Sequence, residues 1–231
     1  MATQIGVFAK HWTPGRVKTR LAKGIGEAAA AGVARAFLET LVVRLHSLAD
    51  EAVIGFAPAG AAEAFRVLAP DWRLEAQCDG DLGCRMQAYF AEAFSRGHQR
   101  VLLLGADSPD VPRGLVRDAL EALDKHRLVL GPTEDGGYYL VGARGEPPPI
   151  FASMPWSTAD LWEATRSRLA DAGWTEGVDW RPLPTWYDVD TVTDLERLRA
   201  SVAASEDAAL ADLRATLDRL APAGAAGGAG R

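Results

Sequence analysis

The sequence predicts an α/β protein in which a mostly parallel central sheet carries helices on both faces. Short apolar runs typical of buried strands alternate with longer helical patterns along the chain. Strands that alternate with helices pair in parallel through right-handed crossovers. The 231 residues are 48% hydrophobic and 24% charged, which is enough apolar material for a sizeable core in one large domain.

The strands are predicted from continuous apolar runs, because strands buried on both faces have few polar positions. The predicted strands cover residues 4–9, 52–57, 73–76, 100–105, 128–131 and 138–141. In open sheets of this kind, ligands bind at the carboxyl ends of the strands. We therefore expect the functional residues in the loops that follow them.

The helices are predicted from apolar residues at helical spacing, most clearly in the alanine-rich segment 27–48, which contains no proline. The other predicted helices cover residues 61–68, 82–94, 114–123, 158–172, 190–204 and 206–220. The main domain is expected to span residues 1–204, followed by a C-terminal helix at 205–220. Two of these helices, 27–48 and the C-terminal one, could pack against a second copy in a homodimer.

Residues 221–231 contain only Ala, Pro, Gly and a final Arg, so they are predicted to form a disordered tail. The formal net charge of -6 argues against a nucleic-acid-binding surface. No apolar stretch reaches the roughly 18 residues that a membrane span needs, and the start does not resemble a signal peptide. The two cysteines, Cys78 and Cys84, have no second pair and are expected to be reduced thiols. These observations predict a cytoplasmic protein with no membrane partner.

A basic, glycine-containing stretch at residues 13–20 follows the first predicted strand. Gly15 permits close approach of a ligand to the backbone, and Lys18 and Arg20 can neutralise polyphosphate. The start of the following helix adds unpaired N–H groups. The stretch predicts a phosphate-binding loop, although a solvated surface loop has the same composition.

Acidic residues follow the strand at 100–105 and recur near residue 190. Asp107 is placed to hold a magnesium ion that bridges nucleotide phosphates, since Mg²⁺ prefers one or two carboxylates with phosphate and water. Asp110 is instead expected to cap the next helix. Asp188 and Asp190 are two residues apart on a segment expected to be extended, so their side chains should point the same way and repel each other. This repulsion requires a cation nearby, which a metal shared with Asp107 would supply. Asp190 could also cap the helix that follows it.

The segment 131–139 joins two predicted strands through two acids and two glycines. An aspartate followed by glycine predicts a hairpin turn. The same turn can also contact a bound molecule. The candidate substrate-binding residues are Glu134, Asp135, Gly136 and Gly137. Most tryptophans of the second half are expected in the core, while Trp156, Trp180 and Trp186 could border an acceptor pocket.

Taken together, the motifs at 7–10, 14–21, 80–83, 105–109, 135–139 and 188–191 resemble a bacterial family of nucleotide-dependent transferases. This family is glycosyltransferase-like and related to 2-phospholactate guanylyltransferase and the molybdenum cofactor guanylyltransferase. The resemblance covers about residues 3–200. It implies a Rossmann-like glycosyltransferase type A fold and a divalent metal, Mg²⁺ or Mn²⁺.

The resemblance also implies roles for particular residues. Lys18, Arg20 and Asp107 would be catalytic, and Asp107 and Asp190 would bind the metal. The nucleotide-binding residues would be Ala9, Lys10, Gly15, Arg16, Lys18, Arg20, Asp81, Leu82 and Gly83. The sequence departs from better-known relatives in its proline-glycine turn and in Cys84, which stands where a polar residue is expected.

The loop at 77–86 resembles the base-recognition loop of those relatives. One carboxylate can accept both adjacent donors of guanine, and Asp81 could do so, which makes GTP a candidate substrate, with a uridine nucleotide as the alternative. Asp81 could equally cap the helix that begins at Leu82.

Two reactions and one non-catalytic function remain open. In nucleotidyl transfer, a small anionic acceptor attacks the α-phosphorus of a nucleoside triphosphate. In glycosyl transfer, the nucleotide leaves a nucleotide sugar, and Glu134 or Asp135 acts as base. The cationic first loop favours nucleotidyl transfer, because a triphosphate brings more charge to neutralise. The third possibility is a nucleotide-binding protein without catalysis.

Overall fold

The central sheet is built from the apolar runs of the sequence. In the computed structural model, which describes residues 2–222, the strands are β1 (Thr3–Lys10), β2 (Glu51–Ala57), β3 (Arg73–Ala76), β4 (Arg100–Gly105), β5 (Leu128–Pro132), β6 (Tyr138–Arg144) and β7 (Trp180–Pro182). The helices are α1 (Thr19–Ile25), α2 (Glu27–Leu45), α3 (Ala62–Leu68), α4 (Leu82–Ser95), α5 (Arg113–Ala122), α6 (Leu161–Asp171), α7 (Val192–Val202) and α8 (Ala208–Leu220).

The strands form one sheet in the order β3-β2-β1-β4-β6-β5-β7. The first four strands pair in parallel, and β5 is parallel to β7. Strand β6 is antiparallel to both of its neighbours, because the short turn after β5 returns the chain directly beside that strand. The prediction of a mostly parallel α/β sheet and that of a hairpin at 131–139 are both confirmed. Strand β7 was not predicted, since a three-residue strand that ends in proline leaves no periodic signal.

Helices cover both faces of the sheet, and each face has its own apolar core. On one face, Ile5 and Val7 of β1 belong to the same buried cluster as Leu38 and Leu41 of α2, together with residues of α3 and α5. On the other face, Val101 and residues of α4 and α6 form a second cluster. A third cluster joins α1, α2, α7 and α8 beside the sheet. Helices α2 and α8, the two helices expected to be available for packing against a second copy, pack on each other within the chain.

Several predicted helix boundaries shift in the structure. The helix predicted for 27–48 ends at Leu45 and continues as a single tighter turn, His46–Leu48. The helix predicted from 190 begins at Val192, because Thr191 and Asp194 form a reciprocal capping box there. Asp110 does not cap α5, whose first turn follows Pro112.

Two expectations concern the ends of the chain and the membrane. Within residues 2–222, no helix combines the length and apolar character that crossing a bilayer requires. Of the predicted disordered tail at 221–231, residues 223–231 lie outside the described residues.

The register of the sheet decides which loops are neighbours. Phe8 near the end of β1 pairs with Gly105 at the end of β4. The loop that contains Lys18 and the loop that contains Asp107 therefore leave the sheet side by side.

Candidate functional site

The loop between β1 and α1 makes a tight turn that brings Lys18 back over the sheet edge. The amide of Arg16 donates to the carbonyl of Thr13 at 3.0 Å. Gly15 has a φ of 75°, which favours glycine, and a β-carbon there would lie 3.1 Å from a carboxylate oxygen of Glu27. Lys18 itself has a φ of 47°, a left-handed conformation uncommon for a residue with a side chain.

The side chain of Lys18 is only 4% exposed and lies between two acids. Its Nζ forms an ion pair with Asp107, approaches Asp190 Oδ1 at 3.1 Å and donates to the carbonyl oxygen of Val189 at 2.7 Å. Burial alone would lower the pKa of Lys18, but the charges of Asp107 and Asp190 outweigh it and raise the pKa. Lys18 is therefore an ammonium that joins two loops far apart in the sequence.

Both carboxylate oxygens of Asp190 are bound by cations. One contacts Lys18, and the other forms an ion pair with the largely exposed Arg20. Burial would raise the pKa of Asp190, but Lys18 and Arg20 hold the pKa below its usual range. Asp190 thus remains ionised, and its position is fixed from two sides.

Asp188, a second acid of the same segment, lies near Asp107, and its pKa is shifted in the opposite direction to that of Asp190. Ser108 donates to Asp188 Oδ1 at 2.7 Å and to the carbonyl of Tyr187 at 2.9 Å. Burial and the neighbouring charge of Asp107 raise the pKa of Asp188 to about 7, and Asp135 contributes in the same direction. A carboxylate under this repulsion favours a cation nearby.

Asp110 holds this acidic segment against the rest of the fold. The buried carboxylate accepts hydrogen bonds from Tyr187 Oη at 2.6 Å, Ser201 Oγ at 2.8 Å and Trp186 Nε1 at 3.3 Å. The amide of Val189 also donates to the carbonyl of Asp107 at 3.0 Å. The loops after β4 and before α7 are therefore one hydrogen-bonded unit.

A cleft of about 580 Å³ opens beside this unit at the carboxyl ends of β1 and β4. Most of the predicted site residues line it: Ala9, Lys10, Arg16, Lys18, Leu82, Asp107, Asp135, Gly137 and Asp190. The remaining predicted site residues lie around the cleft without lining it: Gly15, Arg20, Asp81, Gly83, Glu134 and Gly136. The structure thus brings the N-terminal loop, the middle of the chain and the segment before α7 together at one cavity.

The predicted base-recognition loop ends on the N-terminus of α4. Asp81 caps this helix, because its Oδ1 accepts from the amide of Cys84 at 2.8 Å. Gly83 is buried against the segment before α6, where a β-carbon would overlap the carbonyl oxygen of Phe151 and lie 2.7 Å from Trp156 Nε1. Gly83 therefore has a packing role in the wall of the cleft.

The two acids of the hairpin point to different partners. Glu134 pairs through both oxygens with Arg197 of α7, at 2.6 and 2.8 Å, and the guanidinium lies 3.9 Å from the ring centre of Tyr187. Asp135 lines the cleft, and its Oδ1 accepts from Thr133 Oγ1 at 2.6 Å and from the amide of Gly137 at 3.1 Å. Gly136, with a φ of 92°, packs closely against Ala159.

Several lining residues were absent from the predicted site set. They are Phe8, Gln77, Arg85, Tyr138 and Ser157, among others. Gln77 follows β3 directly, so the rule that ligands bind at strand ends would have found it. Arg85 donates to the carbonyl of Gly80 at 3.1 Å and supports the same loop. Nothing in the local sequence of Ser157 indicates a place in a cleft.

The oxygen donors at the cleft suit Mg²⁺ or Mn²⁺ bound jointly by protein and ligand. In the part of the chain that the structure describes, Asp107 and Asp188 each have one oxygen that is engaged by a protein group and a second that is not. Within residues 2–222, no three His, Cys, Asp or Glu side chains are grouped closely enough to hold a metal by themselves. One or two carboxylates completed by phosphate and water is the arrangement that Mg²⁺ prefers.

Comparisons with known proteins agree with this fold. The model of the DUF2064 family, described as uncharacterized proteins conserved in bacteria, matches residues 40–158. A protein from Desulfovibrio desulfuricans G20, provisionally described as a nucleotide-diphospho-sugar transferase, is 34% identical, with a TM-score of 0.83 over 95% of this chain and 99% of the other. No curated protein matches the sequence significantly.

More distant solved structures share the fold alone. A cytidylyltransferase from Leptospira borgpetersenii serovar Hardjo-bovis (strain JB197) is 12% identical, with a TM-score of 0.58 over 95% of this chain and 94% of the other. CMP:2-keto-3-deoxy-manno-octonic acid synthetase, solved with CTP, is 13% identical, with a TM-score of 0.58 over 88% of this chain and 99% of the other.

Proposed function

The chain belongs to the DUF2064 family of bacterial proteins. From the geometry of its cleft we propose that it is a metal-dependent transferase that uses a nucleotide substrate. The reaction that we favour moves a nucleotidyl group from a nucleoside triphosphate to a small acceptor. The observation that carries the proposal is the convergence of Lys18, Asp107 and Asp190 in one cleft whose rim also bears Lys10 and Arg16. The description of the 34% identical relative supports a nucleotide-dependent transferase in general, without distinguishing nucleotidyl from glycosyl transfer.

The phosphates are assigned to the cationic side of the cleft. Lys10 and Arg16 are exposed, line the cleft and have no side-chain hydrogen bond or ion pair within the described part of the chain. They are available to a polyphosphate, and the turn at Gly15 lets the backbone approach it. Lys18 and Arg20 are engaged by the acids, so their part in this proposal is to hold Asp107 and Asp190 in place beside the transferred phosphorus.

The metal is assigned to the acidic side. Asp107 would hold Mg²⁺ or Mn²⁺ together with an acid of the segment 188–190. The family resemblance indicates Asp190, which would have to release Lys18 or Arg20 to bind the metal. Asp188, by contrast, has only its Oδ1 engaged within the described residues. A bound divalent cation would supply charge neutralisation to the phosphates and to the leaving group. Lys18 keeps Asp107 and Asp190 together before any ligand arrives.

Nucleotidyl transfer asks the protein mainly for positioning. An oxygen of the acceptor forms a bond to the α-phosphorus, the bond to the bridging oxygen of the β-phosphate breaks, and pyrophosphate leaves with that electron pair. Lys10 and Arg16 hold the triphosphate, and Asp135 at the far side of the cleft can accept the proton of a hydroxyl acceptor.

A second candidate reaction is glycosyl transfer from a nucleotide sugar, and the name of the 34% identical relative favours it. In this reaction the nucleoside diphosphate leaves the sugar carbon and the acceptor hydroxyl replaces it, with Asp135 as base. The base specificity is a separate hypothesis. Guanine recognition at Asp81 uses both carboxylate oxygens, and Oδ1 already accepts from the amide of Cys84 as the cap of α4.

Incubation with Mg²⁺, each of the four nucleoside triphosphates and several nucleotide sugars tests the proposal. Pyrophosphate release supports nucleotidyl transfer, and nucleoside diphosphate release from a nucleotide sugar supports glycosyl transfer. The rise in melting temperature with each of the four triphosphates tests which base the protein prefers. Equal rises would contradict the guanine hypothesis. Binding without any turnover, with every acceptor supplied, would leave a nucleotide-binding protein.

The metal assignment is tested with Asp107→Asn. Asp118→Asn is the control, because Asp118 is an exposed residue of α5 outside the cleft. Loss of Asp107 is expected to lower metal-dependent turnover by about 100-fold or more, whereas the control keeps it. Unchanged turnover in Asp107→Asn would refute the metal assignment.

A further inference from the structure

The connection from β3 into the first turn of α4 contains the only two cysteines of the chain, Cys78 and Cys84. Both side chains are exposed, and both thiols are free. Neither thiol takes part in the proposed reaction. Each is nevertheless next in sequence to a residue that lines the cleft, Gln77 on one side and Arg85 on the other.

This connection folds back on itself, so that Cys78 lies against Cys84. Cys78 Sγ donates to the carbonyl oxygen of Cys84 at 3.8 Å. At Gly80, where φ is 118°, a β-carbon would lie 3.0 Å from Cys84 Cβ and 3.4 Å from Cys84 Sγ. Side chains of a helix point back toward its N-terminus, so the thiol of Cys84 is directed into the loop that contains Cys78.

The loop is fastened at both ends, just outside the two cysteines. Gln77 is held to β2, because its side chain donates to the carbonyl of Gly55 at 2.7 Å. Arg85 donates to the carbonyl of Gly80 at 3.1 Å and to Gln77 Oε1 at 3.5 Å. A disulfide between the cysteines would join two segments that are already close, so little loop-closure entropy is left to lose.

The two thiols differ in how easily they lose a proton. The hydrogen bond and the charge of Asp81 raise the pKa of the Cys84 thiol. Because the thiolate is the nucleophile in disulfide exchange, Cys84 is disfavoured for the first attack. The first step is therefore assigned to Cys78 and the second to Cys84.

We propose that Cys78 and Cys84 are a modification site, at which a low-molecular-weight disulfide oxidises both thiols to one intramolecular disulfide and thereby weakens nucleotide binding. The Cys78 thiolate attacks one sulfur of the small disulfide, whose S–S bond breaks and releases one thiolate, leaving a mixed disulfide on Cys78. The Cys84 thiolate then attacks the sulfur of Cys78 and releases the second thiolate. The protein loses two electrons and two protons, and the oxidant is reduced to two thiols.

The disulfide would act on the cleft through the first turn of α4. Bonded sulfur atoms lie about 2 Å apart, so Cys78 Sγ must leave the carbonyl oxygen of Cys84 that it now contacts. The backbone of Cys84 is held by the Asp81 cap at 2.8 Å and would have to shift. Leu82 and Arg85 of the same turn line the cleft and would move with it. This effect rests on the proposed function, whereas formation of the disulfide does not.

Oxidation is measured on the full chain without nucleotide, in glutathione buffers of increasing oxidised fraction. After the remaining free thiols are alkylated with N-ethylmaleimide, trypsin releases both cysteines in one peptide, residues 74–85. The expected product is an unalkylated peptide that is lighter by two hydrogens. The same titration in urea is the reference, and the equilibrium constant for closure is expected to be about tenfold or more higher in the folded protein.

Cys78→Ser is the control for closure, because Cys84 can then form only a mixed disulfide. Two alkylated thiols in the wild type, or two stable mixed disulfides without closure, would overturn the site. An equal equilibrium constant in urea would overturn it as well, because the folded loop would then contribute nothing to the bond.

The effect on the cleft is measured by calorimetric titration of the four nucleoside triphosphates with Mg²⁺, before and after oxidation. Affinity is expected to fall about fivefold or more in the oxidised wild type and to return after reduction with dithiothreitol. The Cys78→Ser, Cys84→Ser double variant should bind nucleotide equally with and without oxidant. Unchanged affinity of the fully oxidised wild type would overturn the effect on nucleotide binding. Absence of nucleotide binding by the reduced protein would overturn the proposed function and leave the disulfide standing.

Discussion

At the residue scale, Lys18 holds together the loops that form the site. A mostly buried ammonium is tolerated because Asp107, Asp190 and the carbonyl of Val189 surround it. The neighbouring cations Lys10 and Arg16 have the opposite character, since they are exposed and face the cleft. The sequence shows only a group of basic residues, whereas the structure separates one internal cation from two that are open to ligand.

This separation predicts different consequences for two lysine variants. Lys18→Met leaves Asp107 and Asp190 without their common partner, and it should lower the free energy of unfolding by about 1–2 kcal/mol, less than for a fully buried pair because both acids are partly exposed. Lys10→Ala should leave stability within about 0.5 kcal/mol and weaken nucleotide binding about tenfold. Urea denaturation and nucleotide titration of both variants measure this. Equal stability of the two variants would contradict the assignment.

At the element scale, the first turn of α4 connects the two walls of the cleft. Gly83 lies so close to the carbonyl of Phe151 and the ring of Trp156 that a methyl group has no room. The position is helical, where alanine would normally be preferred over glycine. The close contact therefore outweighs helix propensity.

Gly83→Ala is accordingly predicted to destabilise the protein by about 1–3 kcal/mol, because one of the two walls must shift. The matched control is Gly114→Ala in α5, where a β-carbon meets no atom within 4 Å. That control should be neutral or stabilising by up to about 1 kcal/mol. Thermal and chemical denaturation of the two variants measure these changes in stability. A stabilised Gly83→Ala protein would be inconsistent with the observed packing.

Helix α8 is fastened to the domain by one acid with two functions. Asp207 accepts from the amide of Ala209 at 3.0 Å as the helix cap, and it accepts from Arg44 Nε at 2.8 Å. The Arg44 side chain is 4% exposed and also donates to the carbonyls of Pro109 and Val111. Loss of Asp207 would leave this guanidinium short of its counter-ion.

Asp207→Asn is predicted to lower the free energy of unfolding by about 2 kcal/mol, with Asp212→Asn, an exposed acid of the same helix, as control. Burial would raise the pKa of Asp207, but the hydrogen bond and charge of Arg44 lower it below its ordinary value of 3.8. The stabilisation is therefore present above that value and is lost as the pH falls through the folded-state pKa. Denaturation at pH 7 and near pH 3 should show the difference between wild type and variant shrinking in acid.

At the scale of the whole molecule, exposed positive charges at the cleft contrast with the negative net charge of the protein. The protein carries a formal charge of -6, yet Lys10 and Arg16 are exposed at the cleft. A polyphosphate is repelled by the molecule as a whole and attracted only at short range. Exposed charges are screened by salt within about 8 Å at physiological ionic strength.

Nucleotide affinity should therefore fall as NaCl is raised from 50 to 500 mM, and the slope should be smaller in a Lys10→Ala, Arg16→Ala double variant. Titration of a nucleoside triphosphate at several salt concentrations measures both slopes. Identical slopes would mean that these two cations do not contact the phosphates.

The sequence alone determined the class of the fold and the positions of most elements, because continuous apolar runs and helical periodicity depend on local pattern. Gly15, Lys18 and Asp107 were predicted in loops after strands that the structure contains. Strand β7 and the antiparallel direction of β6 beside β4 emerged only from the assembled sheet, because they depend on which segments become neighbours.

Tertiary structure decided which candidate side chains are open to ligand. Glu134 and Asp135 are adjacent in sequence, but one is bound to Arg197 and the other faces the cleft. Asp81 and Gly83 belong to one predicted motif, but one caps α4 and the other packs under Phe151. These differences arise from contacts between segments far apart in the chain, so no local pattern of residues contains them.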